Sequence, residues 1–192
     1  MDFNFRAKKI LEVKIISEFS NLMQIFILHF DEINGNVPLL FFPDESIKNN
    51  EKFMEFFKFQ LLESEDKTND KYISLNYDTK IYVARLFRIS SKLGKISVPL
   101  ENSSDIIIVT VLLPVEFVSY GLNFLNVITE LFFKEYKELL YYIFLSEILE
   151  ENVIKTPKVR KIIEAGSHLK DQLRESIKIN QKKYFSLILT HQ

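Results

Sequence analysis

Ile25-Phe-Ile-Leu-His-Phe-Asp-Glu-Ile-Asn-Gly-Asn-Val-Pro-Leu-Leu-Phe-Phe-Pro-Asp44 is the stretch that decides the fold. Two apolar runs flank Asn34-Gly35, a pair that accepts positive φ at both centres of a type I′ turn, and this predicts a β-hairpin. Strand 25–31 presents Phe26, Leu28 and Phe30 on one face and Ile25, Ile27 and His29 on the other. Strand 37–43 is apolar on both faces too, with Val37, Leu39 and Phe41 opposite Leu40 and Phe42. A sheet with two apolar faces requires cover on both.

C-terminal to the hairpin, Ser46 is placed to cap a helix over about 47–63. Ile47, Phe53, Met54, Phe57, Leu61 and Leu62 share one broad face of that helix, and Phe56 and Phe59 fall outside it beside Lys48, Lys52 and Glu63. A polar loop over 64–71 leads to strands at 72–77 and 80–89, then to an irregular connection at 90–104 in which 95–98 could form a short strand. Asp105 to Leu113 is a β-branched run, apolar on both faces, and reads as a central strand.

After Pro114 the period changes. Val118, Leu122, Leu125, Ile128, Phe132, Tyr136, Leu139, Leu140 and Ile143 trace one helical face to about residue 149. A second flank of Tyr120, Phe124, Val127, Leu131 and Leu145 widens it beyond an ordinary stripe, so this helix is either covered from two directions or covers a partner. Thr156-Pro157 reads as N-cap and first residue of a last helix, whose narrow face is Val159, Ile162, Gly166, Leu169, Leu173 and Ile177. Gly166 permits a close approach there. The tail, 178–192, either prolongs this helix or forms a separate segment. At the other end, residues 1–22 stand apart as an extension read as helix, although the alternation around Leu11–Ile15 also permits a strand.

The expected architecture is α+β: a central, mostly antiparallel five-stranded sheet with one helix on one face and two long helices on the other. Its domain spans 23–177. At 192 residues with 47% hydrophobic and 27% charged side chains, the chain suits one ordinary globule, and its net charge of −1 supplies no basic field for nucleic acid. The absence of Cys excludes disulfides, thiolate catalysis and Cys-based zinc sites, and favours a cytoplasmic setting. The most apolar run, Ile106 to Val115, falls far short of the roughly 20 residues a spanning helix needs. None of the four glycines is spaced as a phosphate loop or dinucleotide fingerprint. No cofactor, metal or catalytic residue is expected.

The order strand, strand, helix, three strands, helix, helix resembles the longin domain, a profilin-like fold. The hairpin text His29 to Pro43 is similar to the opening hairpin of longin modules in trafficking and GTPase-regulating complexes. The resemblance covers about residues 23–177, with the residues 1–22 and the long 90–104 connection as departures. It implies a non-catalytic interaction module whose partners are a small GTPase or another longin- or roadblock-type subunit, with a homodimer and peripheral membrane contact also open. A profilin-, PAS- or GAF-like sensory module holding a small ligand is the alternative, and an enzyme of unfamiliar type a third reading.

Candidate partner residues follow from side chains that break the pattern. Phe56 and Phe59, with Lys52 beside them, point away from the helix face that meets the sheet, and exposing two aromatic rings is costly unless something covers them. Tyr120, Phe124, Leu131 and the Tyr141-Tyr142 pair form a possible seam on the wide helix. Arg85 interrupts the apolar face Ile81, Val83, Phe87, Ile89, and a guanidinium there needs a carboxylate, several carbonyls or an edge position. Glu164, His168 and Asp171 have the spacing of a shared helical patch and read as a solvated face. His29 reads as a hydrogen-bonded sheet residue, and with His191 in the tail no His/Asp/Ser arrangement can be assembled. Lys158, Arg160, Lys161, Lys170, Arg174 and Lys178 on the last helix are interspersed with Glu164, Asp171 and Glu175 and read as a solvated face, with an anionic membrane or an acidic partner as the alternative.

Overall fold

The computed structural model describes residues 22–31, 35–43, 70–77, 80–89, 105–136, 139–150 and 155–190. Five strands are present: β1 (Gln24–Asp31), β2 (Gly35–Phe42), β3 (Asp70–Tyr77), β4 (Lys80–Ile89) and β5 (Asp105–Pro114). They form one sheet in the order β2-β1-β5-β4-β3, with every neighbouring pair antiparallel. The fold is α+β, as expected, and its element order and sheet are consistent with a longin fold. The expected 47–63 helix, the 95–98 strand and all of the 1–22 extension but Leu22 lie outside the described residues.

β5 is the middle strand, hydrogen-bonded to β1 and β4. Its alternation splits the core. Ile107, Val109, Val111 and Leu113 join Ile25, Ile27, Ile81 and Val83 on the first face, while Ile108 and Leu112 join Phe26, Leu28, Phe41 and Tyr82 on the second. Phe26 and Phe41 meet edge to face there, with ring centroids 5.3 Å apart.

The hairpin register corrects the expected turn. Asp31 pairs with Gly35, so three residues separate the strands rather than the two central residues of an Asn34-Gly35 turn. The pairing then shifts between Ile27 and Leu28, opposite Leu40 and Pro38, and leaves Leu39 as the extra residue of a β-bulge. The shift changes which side chains share a face. Val37 lies on the same side as Leu40 and Phe42, Leu39 joins their cluster, and Phe41 belongs to the opposite one. The expected trio of Val37, Leu39 and Phe41 is therefore divided.

The expected single helix over 116–149 is also corrected. A 3-10 turn at Val115–Phe117 leads into α1 (Val118–Leu131), a π-helical turn follows at Phe132–Tyr136, and α2 occupies Leu140–Glu150. Spacing supplies the reason. Ile128, Phe132, Tyr136 and Leu140 recur every four residues, longer than the 3.6-residue period, and the wider π turn absorbs the drift. Ile128, Phe132 and Leu140 are all fully buried as a result.

α3 runs unbroken from Pro157 to Thr190. Thr156 caps it, its Oγ1 accepting the Val159 N–H at 3.3 Å. α1 lies over β4 and β5, α2 over β2, and α3 packs along α2 and also meets α1 and β2. α2 and α3 approach closely at Gly166. A Cβ built there would collide with Ser146 Oγ and Cβ and stand 2.8 Å from the Tyr142 carbonyl oxygen. Lys170 Nζ joins Glu147 Oε1 across the same interface at 3.0 Å.

Gly166→Ala should therefore destabilise the protein by about 1–3 kcal/mol through overpacking, although Gly to Ala in an open helix would stabilise by about 1 kcal/mol. Urea denaturation reads the sign, and adding Ser146→Gly should restore part of the loss.

Candidate interaction surface

α1 stands at the centre of this surface because it is anchored on both flanks. On the sheet side, Arg85 of β4 sits directly across from Tyr72 of the edge strand β3. The Arg85 guanidinium lies 5.1 Å from the Tyr72 ring centroid and Nη1 donates to Thr129 Oγ1 at 3.0 Å. Tyr72 Oη donates to Asn126 Oδ1 at 2.6 Å. The Thr129 hydroxyl, fully buried, has its own acceptors in the carbonyls of Leu125 at 2.6 Å and Asn126 at 3.0 Å. Arg85 thus makes a structural pairing that includes a hydroxyl and an aromatic face.

On the other flank, the second half of α3 covers α1. Phe124 is fully buried, its ring 5.2 Å from that of Tyr184 and 6.3 Å from that of Phe185. The expectation that Phe124 lines a partner seam is corrected here. The continuation of α3 past residue 178 fills the place such a partner would take. Tyr184 Oη donates to the Tyr120 carbonyl at 3.0 Å. Burial raises the Tyr184 pKa above the ordinary phenol value; the Asn123 side-chain hydrogen bond opposes this and Tyr120 adds to it.

The remaining seam candidates differ in exposure. Tyr120 and Leu131 are half-buried. Tyr141 leans on the core with its ring 6.2 Å from Phe144, and Tyr142, 41% exposed, meets Tyr141 edge to face at 6.4 Å. Phe56, Phe59 and Lys52 lie outside the described residues. The outward side of α1 was not singled out in the sequence. There Ser119, Asn123, Asn126 and Glu130 form a polar stripe with Leu122 on one margin and Val127 on the other, each of these two 37% exposed. Leu122, assigned by periodicity to the core face, sits about 100° from its centre.

His29 is buried with its ring 3.8 Å from that of Phe144, which makes it part of the sheet-to-α2 packing. His168 meets Gln172, with Nε2 to Nε2 3.1 Å, while Asp171 pairs with Arg174. His191 lies outside the described residues. Among the described residues no group of three His, Asp or Glu could hold a metal, and no helix is long and apolar enough to cross a membrane.

No protein-family model and no curated protein matches the chain. Among solved structures it is similar to the K. lactis Lst4 longin domain, at 14% identity, over 82% of this chain and 99% of that one, with a TM-score of 0.35. The consistency with a longin fold rests on the order of the elements and strands described above, not on that superposition.

Thr129→Val keeps the shape of the Arg85 site but removes its acceptor, and should cost about 1–3 kcal/mol in urea denaturation. Combined with Arg85→Met, the loss should fall short of the sum of the single changes by at least about 0.5 kcal/mol. The Tyr184 shift carries a pH sign. The unfolded phenol ionises first, so stability holds below about pH 10 and falls above it. Tyr184→Phe should remove that part of the alkaline loss when denaturation is compared at about pH 9 and about pH 11.

Proposed function

We propose that the chain is a non-catalytic protein-interaction module, a subunit or adaptor in small-GTPase regulation or a membrane-trafficking assembly. The observation that carries this reading is the sheet order β2-β1-β5-β4-β3 under a helical layer, in the element order that suggests a longin module. A fold alone hosts many functions. Its support here is α1, whose outward side mixes polar groups with Leu122 and Val127 and is held from both flanks by hydrogen bonds. Non-obligate interfaces have this mixed character, and a surface fixed in advance loses less entropy on binding.

The partner is a small GTPase or another longin- or roadblock-type subunit, with a second copy of the chain as a further candidate. Contacts run from α1 through Tyr120, Leu131 and the exposed Tyr142, with Phe56, Phe59 and Lys52 adding to them. The setting is cytoplasmic.

Affinity capture with the full chain, in extracts loaded with a non-hydrolysable GTP analogue or with GDP, tests this reading. Mass spectrometry should find small GTPases or longin- or roadblock-type subunits, and Leu122→Asp with Val127→Asp should reduce their retention at least about tenfold, equivalent to about 1.4 kcal/mol. The far-ultraviolet circular dichroism of that variant should match the parent. Retention unchanged by the double substitution removes α1 from the surface. The lack of any such subunit in either extract sinks the function.

A further inference from the structure

The cations on α3 and just before it have different structural fates. Lys170 reaches Glu147 at 3.0 Å, Arg174 reaches Asp171 at 3.2 Å and Lys178 reaches Glu175 at 3.2 Å. Lys155, Lys158, Arg160 and Lys161 are exposed and make no ion pair among the described residues. The first turn of α3 holds no acid, and the nearest one along the helix is Glu164. At about 100° per residue, Lys158 and Arg160 flank the buried edge on opposite sides, with Lys161 facing outward between them.

This arrangement costs stability. Cations at a helix N-terminus meet the positive end of the macrodipole, where acids are the favourable choice, and like charges this close repel one another. No large apolar side chain is exposed between residues 155 and 163, so the surface has nothing to insert into a bilayer as interfacial helices do. A segment rich in Asp and Glu matches each cation and needs no apolar anchor. We propose that the entry to α3 docks an acidic, extended segment of a protein partner through Lys155, Lys158, Arg160 and Lys161. This rests on the reading of the chain as an interaction module and specifies the chemistry of one partner segment.

Fluorescence anisotropy of a labelled oligoglutamate peptide with the full chain tests it, with oligolysine as control. Oligoglutamate should bind, oligolysine should not, and affinity should fall as added salt shortens the screening length below about 10 Å. Lys158→Glu with Arg160→Glu and Lys161→Glu should weaken binding at least about tenfold while leaving the thermal midpoint equal or higher, since acids suit that helix end. If reversal lowers the midpoint, the same three positions changed to Gln give the reading, with the same loss expected. Undiminished binding by the variants, no binding by the parent, or binding of phosphatidylserine vesicles instead of the peptide overturns the proposal. The Leu122→Asp and Val127→Asp chain should bind the peptide as the parent does, so failure here is distinct from failure of the α1 surface.

Discussion

A strand apolar on both faces cannot sit at a surface, and β5 is such a strand. Its hydrogen bonds are taken by β1 and β4, so its side chains must be covered from above and below. Each fully buried Ile, Val or Leu contributes roughly 1.5–3 kcal/mol relative to exposure, so leaving either face of β5 bare would be costly. The helical layer answers it on the first face. α1 lies over β5 and β4, α2 over β2, and α3 closes over both helices. Gly121 belongs to the same constraint, since a Cβ there would fall 2.6 Å from a Leu113 methyl, and that side chain would have to shift.

The anchoring of α1 links this core to its outer surface. Two hydrogen bonds from the sheet side, Arg85 to Thr129 and Tyr72 to Asn126, and one from α3, Tyr184 to Tyr120, set the rotation of the helix about its axis. Its outward stripe is thereby fixed by groups that lie beneath it. An exposed helix face held this way keeps one presentation, which suits recognition by another protein.

What was legible in the sequence was chemistry that acts locally. β-branched runs, Thr156-Pro157 and the single glycine of the last helix each carry their own physical signal, and the structure shows strands, a capped helix start and a close crossing at those places. The hairpin was legible in kind but not in register. Val37 to Phe42 is apolar at almost every position, so the odd–even pattern that would betray a bulge at Leu39 is erased. The break in the wide helix was hidden for a related reason. Its apolar residues are dense enough to fit a continuous helix, and only the repeated four-residue spacing hints at a wider turn. Phe124 was misplaced because its cover comes from residues some 60 positions later, in a tail that the sequence did not join to the face of the last helix. Exposure on α1 depends on which arc the sheet claims, and that is a tertiary fact.

α3 comes after every other element described, yet it shields Phe124 and the groove along α2. During synthesis the sheet and the two earlier helices therefore emerge with an uncovered greasy flank, and remain so until this helix clears the ribosome. Transiently exposed apolar surface of that kind is what chaperones hold and what nascent chains aggregate through. A lesion that removes α3 would leave the nascent chain in that vulnerable condition.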